Sequence, residues 1–491
     1  MMVACFMKFL TRKEGTGDTS PAGLDGTGSG RVYRSESPAD HEIDKHSTEG
    51  IILTPILAGQ SRGAKRNALP ESPPGGTEGD SVQYGAMPAD LKRRSVLQGA
   101  AAGMAAGAAL AQSASAAPVP FGDSLKITKL ETFLVKPRWL FLRMHTDAGL
   151  VGLGEPIVEG RAKTCAEAVR EMEPYLLGKD PRRVQHHWQA LYRHAFYRGG
   201  PVLTSALSGV EQAMWDLTGQ ALGVPVYALL GGATRDRVRL YKGGTSPDTI
   251  RDDIALGFTA FKVGPYKARP ARIVENRAFV EAVAERFRAL REAAGDEVDI
   301  GIDFHGAISP QSAKLLIKAL EPYQPMFIEE PVNCQNHDIM AEIARGTHLP
   351  IATGERVFTK WGFREVLEKG AASILQPDLS HCGGIMEARL IAGMAESYYA
   401  AIAPHNPLGP IATAACVHLD ATIPNFMCQE FRSLGEGYFK EPMTFSNGYV
   451  ELPTKPGLGV EIDDDLIADK IDHDWTNPEP YDAFDGAVTD W

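Results

Sequence analysis

From Leu125 onward, apolar and polar residues alternate in a way that predicts three strands in quick succession, at 127–135, 139–146 and 151–155, with Asp147-Ala148-Gly149 as the turn between the last two. The period then lengthens. Residues 164–177 and 203–222 repeat their apolar positions every three or four residues, as helices do, and the second run stops at Gly223 with Pro225 just beyond. Strands followed by helices predict a separate α+β domain. Beyond Gly232 another unit recurs: a short apolar strand, a polar residue at its end, then a helix. Strands are expected at 238–241, 260–263, 298–303, 326–330, 351–355, 373–378, 400–403 and 426–430. Eight β/α units in about 200 residues fit a (β/α)8 TIM-type barrel better than an open doubly wound sheet. None of the units opens on a glycine-rich phosphate-binding fingerprint.

The pattern is absent upstream. Residues 1–90 hold 13 glycines and 7 prolines and no sustained apolar period, so this stretch is expected to be disordered or to lie outside the natural translation product. Residues 91–117 read as a twin-arginine (Tat-type) export signal: Lys92-Arg93-Arg94, a soft Gly/Ala-rich run over 99–111, then Ala114-Ser115-Ala116 as a cleavage site. Met87 is then a candidate start, Ala117 begins the mature chain, and the destination is periplasmic, with a cytoplasmic location as the alternative. The apolar run is too short for stable membrane insertion. Overall, 44% hydrophobic and 23% charged residues describe a globular protein. A formal charge of −12 lacks the basic footprint of a nucleic-acid partner. Six scattered cysteines give neither zinc-site spacing nor a disulfide framework.

Candidate chemistry lies at the strand ends, where a barrel of this kind places it. Asp303, Glu329, Glu355, Asp378, His405 and Glu430 follow one another at intervals of 23 to 27 residues, so consecutive strands each bring one ionisable group to a common mouth. Any one acid could merely cap the following helix. Three in register (Asp303, Glu329 and Glu355) would repel one another unless a cation joined them, and an all-oxygen set selects Mg2+ over Zn2+. His305 lies two residues past Asp303, hence on the same side if the strand continues. His405 comes one strand after Asp378, which can fix its tautomer and raise its basicity. Lys262 reads equally as a site cation or as a charge on the side of a helix. A cation on a substrate carboxylate, a His–Asp base on one face and a second histidine on the other specify loss of an α proton and a β hydroxyl, a dehydration. A racemase or epimerase would need two opposed bases, His305 serving as one. A non-catalytic, exported carbohydrate-binding barrel would be expected to have lost some of these groups.

The motifs Asp303-Phe-His-Gly306, Phe327-Ile-Glu-Glu-Pro-Val332, Gly354-Glu-Arg356, Leu375-Gln-Pro-Asp-Leu-Ser-His381 and Ala403-Pro-His-Asn-Pro-Leu-Gly-Pro410 resemble the enolase superfamily, in its mandelate racemase-like branch, and within it the D-galactonate dehydratases. The likeness runs from about Lys126 to the C-terminus. It implies an α+β capping domain at 124–235, the barrel at 236–440 and a segment at 441–491 returning to the cap. It further implies that Asp303, Glu329 and Glu355 hold Mg2+, that His405 with Asp378 takes the C2 proton, and that His305 protonates the leaving C3 hydroxyl. Glu430 would hydrogen-bond the developing enediolate and Lys262 would contact substrate. The substrate would be an acid sugar (an aldonate such as galactonate or gluconate), and the assembly a homo-oligomer. Lys262 is followed by Val263 and Gly264, without the second lysine of the racemases, which argues against racemisation from that face.

Overall fold

The computed structural model describes residues 119–244, 246–264, 277–482 and 485–490, and the expected leader over 1–117 lies outside them. The cap opens with an antiparallel meander, β1 (Ile127–Val135), β2 (Trp139–Thr146) and β3 (Val151–Gly154). The first two strands match the alternation to the residue, and β3 stops one residue earlier than expected. Helices α1 (Ala162–Leu176), α2 (Val184–His194) and α3 (Pro201–Leu222) follow. The sequence pattern missed α2. Its inner face is only Val184, His187, Trp188 and Ala190, too polar a stripe to register as a helical period. α3 starts with Pro201 in its first turn and ends at Gly223 in the left-handed conformation, φ 70°, the stop that the Gly-x-Pro spacing foretold.

After the short helix α4 (Val226–Leu229) the β/α units begin. They run β4 (Arg237–Gly243), α5 (Pro247–Ala255), β5 (Ala260–Val263), α6 (Arg277–Ala294), β6 (Asp299–Asp303), α7 (Pro310–Leu320), β7 (Ile328–Glu329) and α8 (His337–Arg345). The series continues with β8 (Ile351–Thr353), α9 (Thr359–Lys369), β9 (Ile374–Leu375), α10 (Ile385–Ser397), β10 (Ala401–Ile402), α11 (Pro410–Asp420) and β11 (Gln429–Glu430). Each strand pairs in parallel with the next from β4 to β10. A parallel bridge from Ile402 to Phe426 and the pairing of β11 with β4 close the ring, so the barrel reading holds and the open sheet is excluded. Several strands are shorter than their apolar runs. Met326 and Phe327 still bond to β6 just ahead of β7, and the last ladder bonds before Asp378 and His405 come from the N–H groups of Gln376 and Ala403. A hairpin of β12 (Phe445–Ser446) and β13 (Tyr449–Glu451), absent from the sequence reading, adds antiparallel to the first half of β4. No described helix is long and apolar enough to cross a membrane. The five cysteines within the described residues are free thiols.

α3 joins cap to barrel. It lies against β3 with almost no side chain between the two backbones, because Gly152, Gly154 and Gly209 meet there. A Cβ on Gly154 would fall 2.0 Å from the Gly209 carbonyl oxygen, and one on Gly209 would fall 2.3 Å from the Pro156 nitrogen. From the same helix the Glu211 carboxylate accepts the Ile385 and Met386 N–H groups in the first turn of α10. From the loop after β3, Glu155 accepts the Gly409 and Ala412 N–H groups at the start of α11. Two cap carboxylates therefore satisfy the orphan donors of two barrel helices and meet the positive ends of their dipoles. Because the atoms facing Gly209 are backbone and cannot step aside, Gly209→Ala is expected to cost about 3 kcal/mol through overpacking. Urea denaturation measures this, and an unchanged midpoint and slope would refute the close packing.

Candidate functional site

The C-terminal ends of the strands and the underside of the cap enclose a cavity of about 340 Å³. Barrel residues Lys262, Asp303, His305, Glu355, His405 and Glu430 line it, with Arg356, Phe358, His381 and Arg432 around them, and the cap contributes Arg138, Val158, Glu159 and Pro201. Of the residues singled out from sequence, Glu329 and Asp378 are absent from the lining. Glu329 is fully buried under the floor, and Asp378 stands behind His405.

Asp303, Glu329 and Glu430 sit on their strands, as the last residues of β6, β7 and β11. Glu355, Asp378 and His405 lie two or three residues past β8, β9 and β10, and reach the mouth from the loops that follow. His305 also departs from expectation. β6 ends at Asp303, and His305 adopts a left-handed φ of 52°, so a turn and not strand continuation brings it to the site. Its backbone N–H donates to Asp303 Oδ1 at 2.7 Å, and its Nε2 lies 2.7 Å from Oδ2 of the same carboxylate. Its side chain keeps 42% exposure towards the cavity mouth. Lys262 belongs to β5, not to a helix. Its buried ammonium stands 3.0 Å from Glu329, 3.2 Å from Glu430 and 3.8 Å from Asp303.

Asp303, Glu329 and Glu355 each present an oxygen within 4.8 Å of the others, the one such cluster found among the described residues. Their electrostatics are those of a site short of positive charge. Burial pushes Glu329 up to about 7, with Asp303 and Glu430 adding to the effect and Lys262 opposing it. Burial and the charges of Glu330, Asp303 and Glu329 raise Glu355 well above the usual carboxylate range, against the pull of His405. Asp303 goes the other way: burial alone would raise it, but His305 and Lys262 outweigh burial and hold it low. Such a set of hard oxygen donors fits a divalent cation. Neighbours orient the set. Gln376 donates to Glu329 Oε2 at 2.7 Å, and Arg356 pairs with the buried Glu330 while its Nη2 donates to the His305 carbonyl at 2.9 Å.

On the other flank, His405 Nδ1 lies 2.9 Å from Asp378 Oδ2, and Nε2 faces the cavity 3.3 Å from Glu355. Burial disfavours the imidazolium, yet Glu355, the Asp378 hydrogen bond and Glu430 together lift His405 to about 10. Glu430 accepts the Asn406 N–H at 3.0 Å. Burial would raise it, but Lys262, His405 and Arg432 bring it down to about 2, so here it is an ionised acceptor and the donor beside it is Lys262. Arg138, Glu159, Ser205 and His381 were not read as functional. They come from four distant stretches with no shared period. The one local signal was the spacing Asp378-x-x-His381, which returns both side chains to one turn.

The C-terminal part, residues 248–466, matches the family model described as enolase C-terminal domain-like. Residues 129–231 match the N-terminal domain of mandelate racemase / muconate lactonizing enzyme. The chain is 48% identical over 386 residues to the D-galactonate dehydratase of Ralstonia nicotianae and 46% identical to that of Pectobacterium atrosepticum, covering 75% of this chain and 100% of each relative. Among solved structures, an enolase from Agrobacterium radiobacter bound to sodium and L-malate aligns with a TM-score of 0.70 at 33% identity, over 74% of this chain and 99% of that one. A mandelate racemase/muconate lactonizing enzyme from a Sulfitobacter species aligns at 0.67 and 33%, over 71% and 96%. With both halves matched in order and the strand-end acids gathered in one cavity, the chain belongs to the mandelate racemase / muconate lactonizing enzyme family of the enolase superfamily.

Proposed function

We propose that this protein is a Mg2+-dependent acid-sugar dehydratase acting on D-galactonate, and that it converts the aldonate to a 2-keto-3-deoxy acid. The observation that carries the reading is the placement of two imidazoles at the outer members of the carboxylate trio: His305 against Asp303 on β6, and His405 against Glu355 past β8. The names of the D-galactonate dehydratase relatives supply the substrate. Asp303, Glu329 and Glu355 would hold Mg2+, which when bound supplies positive charge beside a carboxylate whose neighbouring carbon is giving up a proton.

The chain's own groups do the proton work. Against burial, Glu355 is the chief cause that holds a proton on His405. With the Glu355 charge taken up by a bound cation, His405 Nε2 is free to receive the C2 proton, and the bond from its Nδ1 to Asp378 fixes the tautomer and stabilises the imidazolium that forms. The electron pair moves onto the substrate carboxylate, where the Lys262 ammonium donates, and returns as the C2–C3 double bond while the C3–oxygen bond breaks. His305 protonates the departing hydroxyl, which leaves as water, and the enol rearranges to the ketone. Glu430 and Glu329 together hold Lys262 in place, at 3.2 and 3.0 Å.

Purified protein with Mg2+ is expected to form a 2-keto-3-deoxy acid from D-galactonate. Silence across a panel of aldonates, gluconate included, would remove the proposal, whereas turnover of another aldonate alone corrects the substrate. His405→Asn should abolish C2 proton exchange in D2O. His305→Asn should keep that exchange yet lose elimination by at least ~10²-fold, the worth of a general acid. Exchange that returns substrate without a keto product in the wild type would favour the epimerase.

Cation binding should depend on pH. Glu329 and Glu355 have raised values, so each is largely protonated below its own, and a cation must displace those protons. Mg2+ affinity is therefore expected to climb from pH 6 to pH 8. Calorimetry in buffers of different ionisation enthalpy should register proton release, and binding without release would contradict this charge state.

A further inference from the structure

We propose that His381 is a positioning residue through which the cap holds the base of the reaction in place, a reading that rests on Asp378 and His405 forming that base. The Asp378 carboxylate is shared. Its Oδ1 accepts the Ser380 N–H at 2.8 Å, while Oδ2 stands 2.9 Å from His405 Nδ1 and 3.5 Å from His381 Nε2. A second imidazole thus competes for the oxygen that orients the first.

The other contacts of His381 lead into the cap. Its Nδ1 lies 3.0 Å from the Ser205 hydroxyl on α3, and its Nε2 lies 3.5 Å from Glu159 Oε2. Glu159 Oε1 is 3.6 Å from Arg138, and Arg138 donates at 3.1 Å to the carbonyl of Pro407, two residues past His405. The contacts form a loop that leaves the base through Asp378 and returns to its backbone through Arg138. Basic and acidic side chains alternate along it: Arg138, Glu159, His381, Asp378 and His405. Burial opposes the charge on His381, but Asp378 and Glu159 overcome this and raise it above the ordinary histidine value. Burial likewise opposes charge on Glu159, which His381, His405 and Arg138 hold at about 2.

The ring of His381 borders the cavity, so contact with substrate is the competing role. Both of its nitrogens already face protein partners, which leaves no N–H to spend on a hydroxyl and favours positioning. In this arrangement the cap fixes where Asp378 Oδ2 points, and with it the direction of His405 Nε2.

The test uses the full protein with D-galactonate and Mg2+. His381→Phe removes all three polar contacts at similar volume, and His381→Gln keeps a donor near the position of Nε2. The Phe variant should lower kcat and C2 exchange in D2O together by ~10- to 100-fold, with KM within about threefold, the range expected when a supporting contact to a working group is lost. The Gln variant should recover most of that loss. Glu159→Gln, which replaces a group at the rim, should reduce kcat in the same direction and covers the case in which the Phe variant fails to fold. A tenfold rise in KM at unchanged kcat would overturn the proposal in favour of substrate contact. A Gln variant no better than Phe, with both losing melting temperature, would overturn it in favour of packing. If His405→Asn abolishes exchange while His381→Phe and Glu159→Gln exchange at the wild-type rate, the inference alone fails. If exchange survives His405→Asn, the assignment of the base fails with it.

Discussion

Negative charge confined in a dry barrel mouth is the constraint on which the rest of this structure turns. Asp303, Glu329, Asp378 and Glu430 are buried, and Glu355 is nearly so. Among the described residues, Lys262 and Arg356 are cations within reach of them, and the imidazoles of His305, His381 and His405 touch them as well. Water would screen such a group of acids; a low-dielectric cavity does not. The consequence is visible in how unevenly they titrate. Asp303 and Glu430 stay ionised because the basic groups beside them outweigh burial, while burial and neighbouring carboxylates carry Glu329 and Glu355 upward even with Lys262 3.0 Å from the one and His405 3.3 Å from the other. A divalent cation would satisfy the pair that the protein's own cations leave short.

The same use of buried carboxylates holds the two parts of the molecule together. Glu155 and Glu211 belong to the cap, yet their partners are the N–H groups at the starts of α11 and α10 that the helices themselves leave unpaired. Asp216 takes the N–H of Leu153 on one side and of Leu458 on the other, tying β3 to the chain's return from the barrel. Each acid is matched to several backbone donors, which is what permits its burial. The strand-end acids are less well matched: Asp303, Asp378 and Glu430 accept one backbone N–H apiece, and their other oxygens face side chains around the cavity.

The legibility of the sequence followed from how local each signal is. Alternation places β1 and β2 to the residue because both are long strands with one face in the core. The apolar runs around β7, β9 and β10 extend past the strands proper, yet their flanks still pair by single backbone bonds, as Met326 N–H does with the Ile300 carbonyl and Gln376 N–H with the Thr353 carbonyl. The strand-end acids were legible because a repeating fold spaces them evenly. His305 was placed near the right ligand for an incomplete reason: two residues past Asp303 is correct, but a left-handed turn delivers it. Arg138, Glu159 and Ser205 carry no local sign of their role. They meet the site only because the cap folds back over the barrel.

This last point changes what the cap is for. The loop that carries His405 is part of the barrel by sequence, but it is held from the cap on both sides, by Arg138 at the Pro407 carbonyl and by Glu155 at the Gly409 N–H. The same short segment begins α11, whose first turn Glu155 closes. A shift of the cap therefore cannot be confined to the substrate-facing surface, because it would drag the base loop with it. With His405 as the proposed base, these backbone contacts would couple substrate fit to base geometry, and a cap rebuilt for a different acid sugar would have to preserve Arg138, Glu155 and their partners even as the rest of its lining changed.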